Sequence, residues 1–189
     1  MESHSAAAQI TTENIIATSE IDQELDVARL GADLTGGTYN PDQFPGVIFR
    51  SPNRSATMLL YRSGTITSTG ANSMQDVERG FHELFTHLRD LGIGVKEEPS
   101  ISVENLVSSA DFETSFNLNA LAIGLGLEDV EYEPEQFPGL VYRLKEISLV
   151  VLLFNSGKLI ITGAKTETET QTGFERVKTR LARLGFLST

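Results

Sequence analysis

The side chains that could do chemistry in this chain are suited to binding rather than to catalysis. The chain has three histidines and no cysteine, and it contains no nucleophile elbow, Walker loop or dinucleotide-binding loop. His82 and His87 are five positions apart on a predicted helix, a spacing that does not turn both imidazoles toward one metal ion. The glycine-rich stretch 31–37 lacks the strand-to-helix context of a phosphate loop. We therefore predict that the protein is not an enzyme and holds no metal or cofactor.

A segment with an aromatic residue before a proline–glycine turn occurs twice in the chain. Residues 39–46 have the sequence Y-N-P-D-Q-F-P-G, which returns 93 positions later as Y-E-P-E-Q-F-P-G. With this offset, residues 39–93 align onto residues 132–186 without a gap. The period is far longer than that of a solenoid repeat. The sequence therefore predicts two copies of a half-domain, whose function lies on a pseudo-symmetric surface.

Each repeat predicts the same order of elements: a strand, a short helix, three strands and a long amphipathic helix. In the first repeat, Asp26 is expected to cap the short helix, and Gly92 is expected to end the long one. This order is typical of an α+β fold, an antiparallel sheet with helices on one face. The predicted organisation is a disordered N-terminus (1–12), a first repeat (13–97) and a second repeat (98–189).

The strands are apolar on both sides, although helices are predicted to cover only one. In the segment 58–61, alternation places Met58 and Leu60 on one side and Leu59 and Tyr61 on the other. Residues 151–154 show the same pattern. A sheet covered on one face should instead alternate apolar and polar residues. The uncovered face is therefore predicted to be an interaction surface.

The composition is strongly acidic, with 26 acidic against 15 basic residues and a net charge of −11. Such a charge ordinarily argues against a nucleic-acid ligand. Both halves share the excess, which is typical of a folded protein adapted to molar intracellular salt, where charges are screened within a few ångströms. An ordinary acidic cytosolic protein is the alternative. The start of the chain lacks the features of a signal peptide, and the longest apolar run, 149–154, is too short to span a membrane. We expect a soluble, cytoplasmic protein that does not bind membranes.

Three motifs that occur in both repeats resemble the TATA-binding protein family. They are N-x-x-x-[ST] in the first strand, Y-x-P-x-x-F-P-G-[VL]-[IV]-[FY]-R, and S-G-x-[IL]-x-x-T-G-A. The resemblance covers residues 13–186, and the segment E-Q-F-P-G-L-V-Y-R with L-L-F-N-S-G-K-L-I-I-T-G-A-K in the second repeat is a highly specific match. The short length is similar to that of archaeal members, and the acid excess points to a halophilic archaeon.

The resemblance implies one saddle-shaped, curved antiparallel sheet with helices on its convex face and double-stranded DNA on its concave face. In the family, two aromatic pairs enter base steps of the TATA element from the minor groove. The corresponding pairs here are Phe44 with Tyr61 and Phe137 with Phe154. Position in the motifs implies further DNA contacts for a central polar group (Asn14, Asn105, Thr69, Thr162), an apolar floor that disfavours the guanine amino group (Ile16, Val107, Leu59, Leu152, Ile160), phosphate-binding cations (Arg50, Arg143, Lys158, Lys165), and Pro45, Pro138 and Thr67.

The first repeat departs from the family pattern at several of these positions. Tyr61 stands where phenylalanine is usual, so its hydroxyl needs a partner or water when the ring inserts. Thr65 and Asn72 replace the lysines that correspond to Lys158 and Lys165. Thr67 replaces a valine, and Gln43 stands where a basic residue is common. These changes predict weaker phosphate binding by the first half.

The resemblance also implies partners. The acidic residues Glu133 and Glu135 correspond to the loop by which the family binds transcription factor B, and RNA polymerase follows indirectly. The protein is expected to act in the nucleoid, as a monomer on DNA, with a homodimer off DNA left open. Two alternatives stay open. The same duplicated fold could be a protein-interaction module, and the aromatic rings and asparagines could serve only the core and the turns. The basic residues Arg176, Lys178, Arg180 and Arg183 of the last helix are either solvated or a patch for a partner or for upstream DNA.

Overall fold

The structure is a computed structural model that describes residues 9–53 and 56–187. The described residues form two compact units. The first unit contains residues 14–53 and 56–105, and the second unit contains residues 9–13 and 106–187. The boundaries of these compact units fall inside the first strand of each repeat, so the units do not coincide with the sequence repeats.

The two repeats have the same order of elements. The first repeat consists of β1 (Thr11–Glu20), α1 (Val27–Asp33), β2 (Gly37–Tyr39), β3 (Val47–Arg50), β4 (Thr57–Leu60), β5 (Thr65–Ala71) and α2 (Met74–Asp90). The second repeat consists of β6 (Ser102–Asp111), α3 (Leu118–Leu125), β7 (Val130–Glu131), β8 (Leu140–Leu144), a short 3-10 helix (Lys145–Ile147), β9 (Leu149–Leu153), β10 (Lys158–Ala164) and α4 (Glu167–Arg183).

Each repeat contributes five antiparallel strands. Their order is β2-β3-β4-β5-β1 in the first repeat and β6-β10-β9-β8-β7 in the second. The long helices pack on the strands of their own repeat, α2 on β4 and β5 and α4 on β10. The α+β class and the repeated order are therefore as predicted.

Each of the four α-helices in the described residues begins at a side chain that accepts a hydrogen bond from the first turn. Asp26 accepts from the Arg29 N–H at 3.1 Å, which confirms the predicted cap of α1. Asn117, Ser73 and Thr166 cap α3, α2 and α4 in the same way. Such caps satisfy backbone donors that no residue within the helix can bind. The helix starts are thus encoded locally.

The core lies between the helices and one face of the strands. The buried side of α2 consists of Val77, Phe81, Leu84, Phe85 and Leu88, and that of α4 includes Phe174, Val177 and Leu181. The sequence also predicts Leu91 and Leu184 on the buried sides, but Leu91 is 40% exposed and Leu184 is only half-buried. Both residues are C-caps, where the chain leaves the helix and the 3.6-residue period no longer holds.

The sequence analysis missed the edge strands β2 and β7. Gly37 pairs with Phe49 in the first repeat, and Val130 pairs with Tyr142 in the second. Strands of two or three residues are too short to show alternation. At the N-terminus, Thr11 and Thr12 belong to β1, and the remainder of the expected disordered segment lies largely outside the described residues. Within the described part of the chain, no helix combines the length and hydropathy that crossing a membrane requires.

Candidate functional site

The face of the strands opposite the helices, called the open face here, stays partly accessible. Met58 and Leu60 are fully buried, whereas Leu59 and Tyr61, their neighbours in sequence, are half-buried. In β9 and the residue after it, Val151 and Leu153 are buried, and Leu152 and Phe154 are half-buried. The predicted two-sided apolar character is therefore present in both units, and the open face is where the candidate site lies.

An aromatic pair lies at the end of the open face in each unit. The ring centroids of Phe44 and Tyr61 are 5.4 Å apart at an interplanar angle of 64°, and those of Phe137 and Phe154 are 5.9 Å apart at 67°. Both pairs have the edge-to-face arrangement that ring quadrupoles favour. Phe137 is 38% exposed, which is unusual for a phenylalanine. In each unit, the structure thus brings together the two aromatic rings that the sequence analysis paired.

A tight turn positions the first ring of each pair. The backbone N–H groups of Gln43 and Phe44 both donate to the carbonyl of Asn40, and Gln136 and Phe137 donate to the carbonyl of Glu133 in the same way. Pro45 and Pro138 follow and are exposed. These hydrogen bonds fix the backbone before each ring, so the rings project from ordered turns.

The glycine after each proline leaves room for the rings. A Cβ on Gly139 would lie 2.7 Å from the Phe137 ring and 2.9 Å from the Phe154 ring. A Cβ on Gly46 would lie 2.8 Å from the Phe44 ring and only 2.3 Å from the carbonyl oxygen of Leu60. The glycine of the Pro-Gly motif is therefore a packing requirement of the aromatic pair.

The side chain of Asn14 is held in one orientation. Its Oδ1 accepts from the Gly70 N–H at 2.7 Å, and its Nδ2 donates to the Thr69 hydroxyl at 3.2 Å. Because the backbone N–H can only donate, it fixes which end of the amide carries the oxygen. The second N–H of the amide remains a donor at the open face. Asn105 and Thr162 occupy the equivalent positions of the second repeat.

A bulge explains why glycine stands beside this asparagine. The register between β1 and β5 shifts between Ile15 and Ala17, and Gly70 lies there with φ 88°. The register between β10 and β6 shifts between Thr162 and Ala164, around Gly163 with φ 101°. Left-handed backbone of this kind favours glycine. The T-G-A motif thus encodes a bulge that, in the first unit, turns a backbone N–H toward Asn14.

The strand registers align the predicted floor residues in rows across the open face. One row of the first unit is Ile48, Leu59, Thr67 and Thr18, and its counterpart in the second unit is Val141, Leu152, Ile160 and Ser109. A second row contains Arg143, Val150, Thr162 and Val107, matched in the first repeat by Arg50, Thr57, Thr69 and Ile16. The predicted floor is therefore contiguous within each unit.

Sequence reasoning missed six members of these rows: Thr18, Ser109 and the four residues Ile48, Val141, Thr57 and Val150. The latter four are half-buried on the open face. Period-2 alternation from the buried Val47, Phe49, Met58 and Val151 could have placed them there. Thr18 and Ser109 accompany them, and their hydroxyls donate to the carboxylates of Glu104 and Glu13 within the respective units.

The predicted phosphate-binding cations are exposed but unequally distributed. The first unit contributes Arg50, and the second contributes Arg143, Lys158 and Lys165. Arg143 Nε lies 3.0 Å from Glu131 Oε1, an exposed ion pair that another anion can replace at small cost. Thr65, which replaces the lysine, accepts a hydrogen bond from the Ser63 hydroxyl instead. The weaker cationic character of the first unit, expected from the sequence, is thus visible on its surface.

The chain matches the family described as Transcription factor TFIID (or TATA-binding protein, TBP) over residues 9–91 and 100–184. It is 51% identical to TATA-box-binding protein 2 of Haloferax volcanii, covering 96% of this chain and 97% of the relative. Identity to the TATA-box-binding protein of Haloarcula marismortui is 50%, over 94% of this chain and 96% of the relative. The chain belongs to the TATA-binding protein family.

A solved structure confirms the fold of this family member. Methanococcus jannaschii TBP superposes with a TM-score of 0.82 at 36% identity, covering 93% of this chain and 99% of that chain. Membership makes the chain a transcription factor of the TATA-binding type and confirms that it is not an enzyme. The relatives come mostly from halophilic archaea, which confirms the expected archaeal and halophilic character.

The glycines beside the two aromatic pairs predict unequal effects of the same substitution. Gly46→Ala places a methyl group against a backbone carbonyl and should lower the free energy of unfolding by about 1–3 kcal/mol. Gly139→Ala meets only aromatic ring atoms among its three nearest neighbours, and the rings can move, so its cost should be smaller. Urea unfolding of both variants at one salt concentration measures the difference. A larger loss for Gly139→Ala would contradict this account of the turns.

Proposed function

We propose that the protein is a general transcription initiation factor that binds the TATA element in the minor groove, bends the DNA, and recruits transcription factor B and, through it, RNA polymerase. The observation that carries this proposal is the duplicated aromatic pair at the end of an open apolar face, in a chain of this family. The names of the relatives, TATA-box-binding proteins, support the ligand. The protein is proposed to act in the nucleoid, as a monomer on DNA.

Insertion of aromatic rings between base steps accounts for bending. A flat ring replaces base–base stacking where the step opens, and pyrimidine–purine steps such as TA open at least cost. TATA-binding proteins are the standard example of such minor-groove wedges, so this step is a property of the family rather than of this geometry alone. Here the exposed Phe137 and the half-buried Phe44, Tyr61 and Phe154 would supply the rings.

The rest of the open face would supply recognition. The minor groove of an A·T pair presents only acceptors, adenine N3 and thymine O2, and the free N–H of the oriented Asn14 amide is a donor. Guanine adds an amino group that needs an acceptor. Leu59, Leu152 and Ile160 offer none, so the floor disfavours G·C pairs.

The second unit carries the features that a protein partner would need. Glu133 and Glu135 are exposed on the turn before Phe137, whereas the first unit has only Asp42 in the equivalent turn. Ile123 lies in the last turn of α3 and Leu127 lies just after the helix, and they are 76% and 75% exposed. Both precede β7, which α3 contacts. Acidic and apolar groups together suit a basic, partly apolar protein surface, and we assign transcription factor B to it.

The wedge role predicts the effect of removing one ring. Phe154→Ala should weaken binding to a TATA duplex by about 1–3 kcal/mol, the value of one base–aromatic stack. Phe154→Tyr, which copies Tyr61 of the first repeat, keeps the ring and is the matched control. Fluorescence anisotropy measures affinity, and energy transfer between dyes at the duplex ends measures the bend. Unchanged affinity and bend in Phe154→Ala would remove this residue from the wedge role.

The partner assignment predicts a selective defect. The double variant Glu133→Arg with Glu135→Arg should abolish the ternary complex with transcription factor B on a TATA duplex, because the charge of the surface is reversed. Binary DNA binding should persist. Asp42→Arg in the first repeat is the matched control and should leave the ternary complex intact. A gel-shift assay resolves both complexes, and a ternary complex that survives the double variant would place the docking site elsewhere.

The acidic surface predicts an unusual dependence on salt. Most DNA-binding proteins lose affinity as salt rises, because releasing the counterions of neutralised phosphates gains less entropy when the bulk salt is more concentrated. Here the net charge of −11 repels DNA at low salt, and salt screens that repulsion while apolar burial persists. The logarithm of the affinity should be flat or rising between roughly 0.5 and 2 M salt. A clearly negative slope, with circular dichroism showing a folded protein throughout, would contradict the mechanism but not the TATA assignment.

A further inference from the structure

The second unit contains a long, open cleft between α4 and the segment formed by β8 and the 3-10 helix. Its volume is about 1280 Å³, and all of its lining residues lie between Asp129 and Arg183. On the helix side the lining runs from Glu167 to Arg183, about 24 Å at 1.5 Å per residue. This length suits an extended or helical peptide segment. Of the proposed DNA contacts, only Arg143 also lines this cleft.

The cations of the cleft differ in how they are neutralised. Lys145 Nζ lies 2.7 Å from Asp129 Oδ1, and Arg176 Nη1 lies 2.7 Å from Glu146 Oε2. Arg180 and Arg183 also line the cleft, but neither forms an ion pair with a carboxylate in the part of the chain that the structure describes. They are three positions apart on α4, so they lie on the same side of the helix, one turn from each other.

Tyr142 adds a hydrogen-bond donor between these groups. Its side chain lines the cleft, and burial raises the pKa of Tyr142, although the nearby Arg180 acts in the opposite direction. The negative charges of Asp129 and Glu146 raise the pKa of Tyr142 further. The phenol therefore keeps its proton at neutral pH and can donate to a carboxylate beside Arg180.

The first repeat fills the equivalent space with its own side chains. Phe49, the counterpart of Tyr142, is fully buried, and its ring lies 5.8 Å from that of His87, the counterpart of Arg180. Glu83 accepts hydrogen bonds from the side chains of Ser51 and Asn53. The pseudo-symmetric fold therefore does not require this space to be open, which makes the open cleft of the second repeat a candidate ligand site.

We propose that this cleft binds an acidic segment of a partner protein, with carboxylates of the segment paired to Arg180 and Arg183 and hydrogen-bonded to Tyr142. Paired arginines favour carboxylates because the guanidinium forms two parallel hydrogen bonds. A protein segment fits better than DNA, because carboxylates such as Glu167 and Glu175 line the same cleft. A phosphate backbone would meet them at every position, whereas a peptide can place neutral or basic side chains there.

A peptide of mixed charge tests the proposal. The probe is a fluorescein-labelled peptide made of Glu-Glu-Lys-Leu repeats, and its matched control has glutamine in place of every glutamate. The protein should bind the acidic probe more tightly than the glutamine version. Arg180→Ala with Arg183→Ala should weaken the acidic probe by at least about tenfold, the order expected for charge-assisted hydrogen bonds. Lys178→Ala removes an equal type of charge from the same helix outside the cleft and should change affinity by less than about twofold.

Two further measurements make the outcome decisive. Tyr142→Phe keeps the ring and should weaken the acidic probe several-fold, which tests the site without removing a charge. TATA-duplex binding by the arginine double variant should equal that of the unmodified protein, so a failure of the proposed DNA function is distinguishable. Equal binding of the acidic and glutamine probes would overturn the proposal. So would an equal effect of Lys178→Ala and of the arginine double variant on the acidic probe. A double variant that keeps its affinity for the acidic probe but loses affinity for a duplex without a TATA element would instead assign the two arginines to DNA.

Discussion

The two-sided apolar character of the central strands is the constraint on which the rest of the structure depends. Alternation gives every strand a set of side chains that helices bury and a second set that they leave half-buried. Burial of Met58, Leu60, Val151 and Leu153 stabilises the packing against the helices and thereby fixes the register of the strands. Once the register is fixed, it also determines which residues are adjacent on the open face. The rows of the candidate site are therefore a by-product of the core.

Because the half-domain is duplicated, the same fold presents a different surface in each repeat. The features that build each half are kept in both repeats, namely the bulge glycine, the asparagine beside it, the Pro-Gly turn and the aromatic pair. Features that the fold does not need have diverged. Lys158 of the second repeat corresponds to Thr65 of the first, and the turn before the aromatic ring has two acidic residues in the second repeat but only Asp42 in the first. The second repeat has the open cleft where the first has the buried Phe49. Differences between the halves are thus more informative about function than their shared residues.

Much of the fold could be predicted because its signals are local. Helix caps such as Asp26 and the glycines that end α2 and α4 depend on a few neighbouring residues, and the long helices show their period over four turns. The edge strands β2 and β7 were not predicted, because segments of two or three residues are too short to show the alternation of a strand. The orientation of the Asn14 amide could not be predicted from the sequence for another reason. It depends on Thr69 and Gly70, which the strand pairing brings next to it from more than fifty positions away. Exposure of Ile123 and Leu127 likewise depends on tertiary packing, so composition alone could not reveal it.

The two halves differ chemically at one equivalent position of the open face. Leu59 pairs with Thr67 in the first half, whereas Leu152 pairs with Ile160 in the second. If the open faces contact DNA as proposed, Thr67 presents a hydroxyl that can accept from a guanine amino group, whereas Ile160 presents only methyl groups. A nearly palindromic element would then have two distinguishable ends for this protein. The consensus it selects should be lopsided, with tolerance for G·C confined to one half, and a single side chain would contribute to the direction in which a symmetric-looking promoter is transcribed.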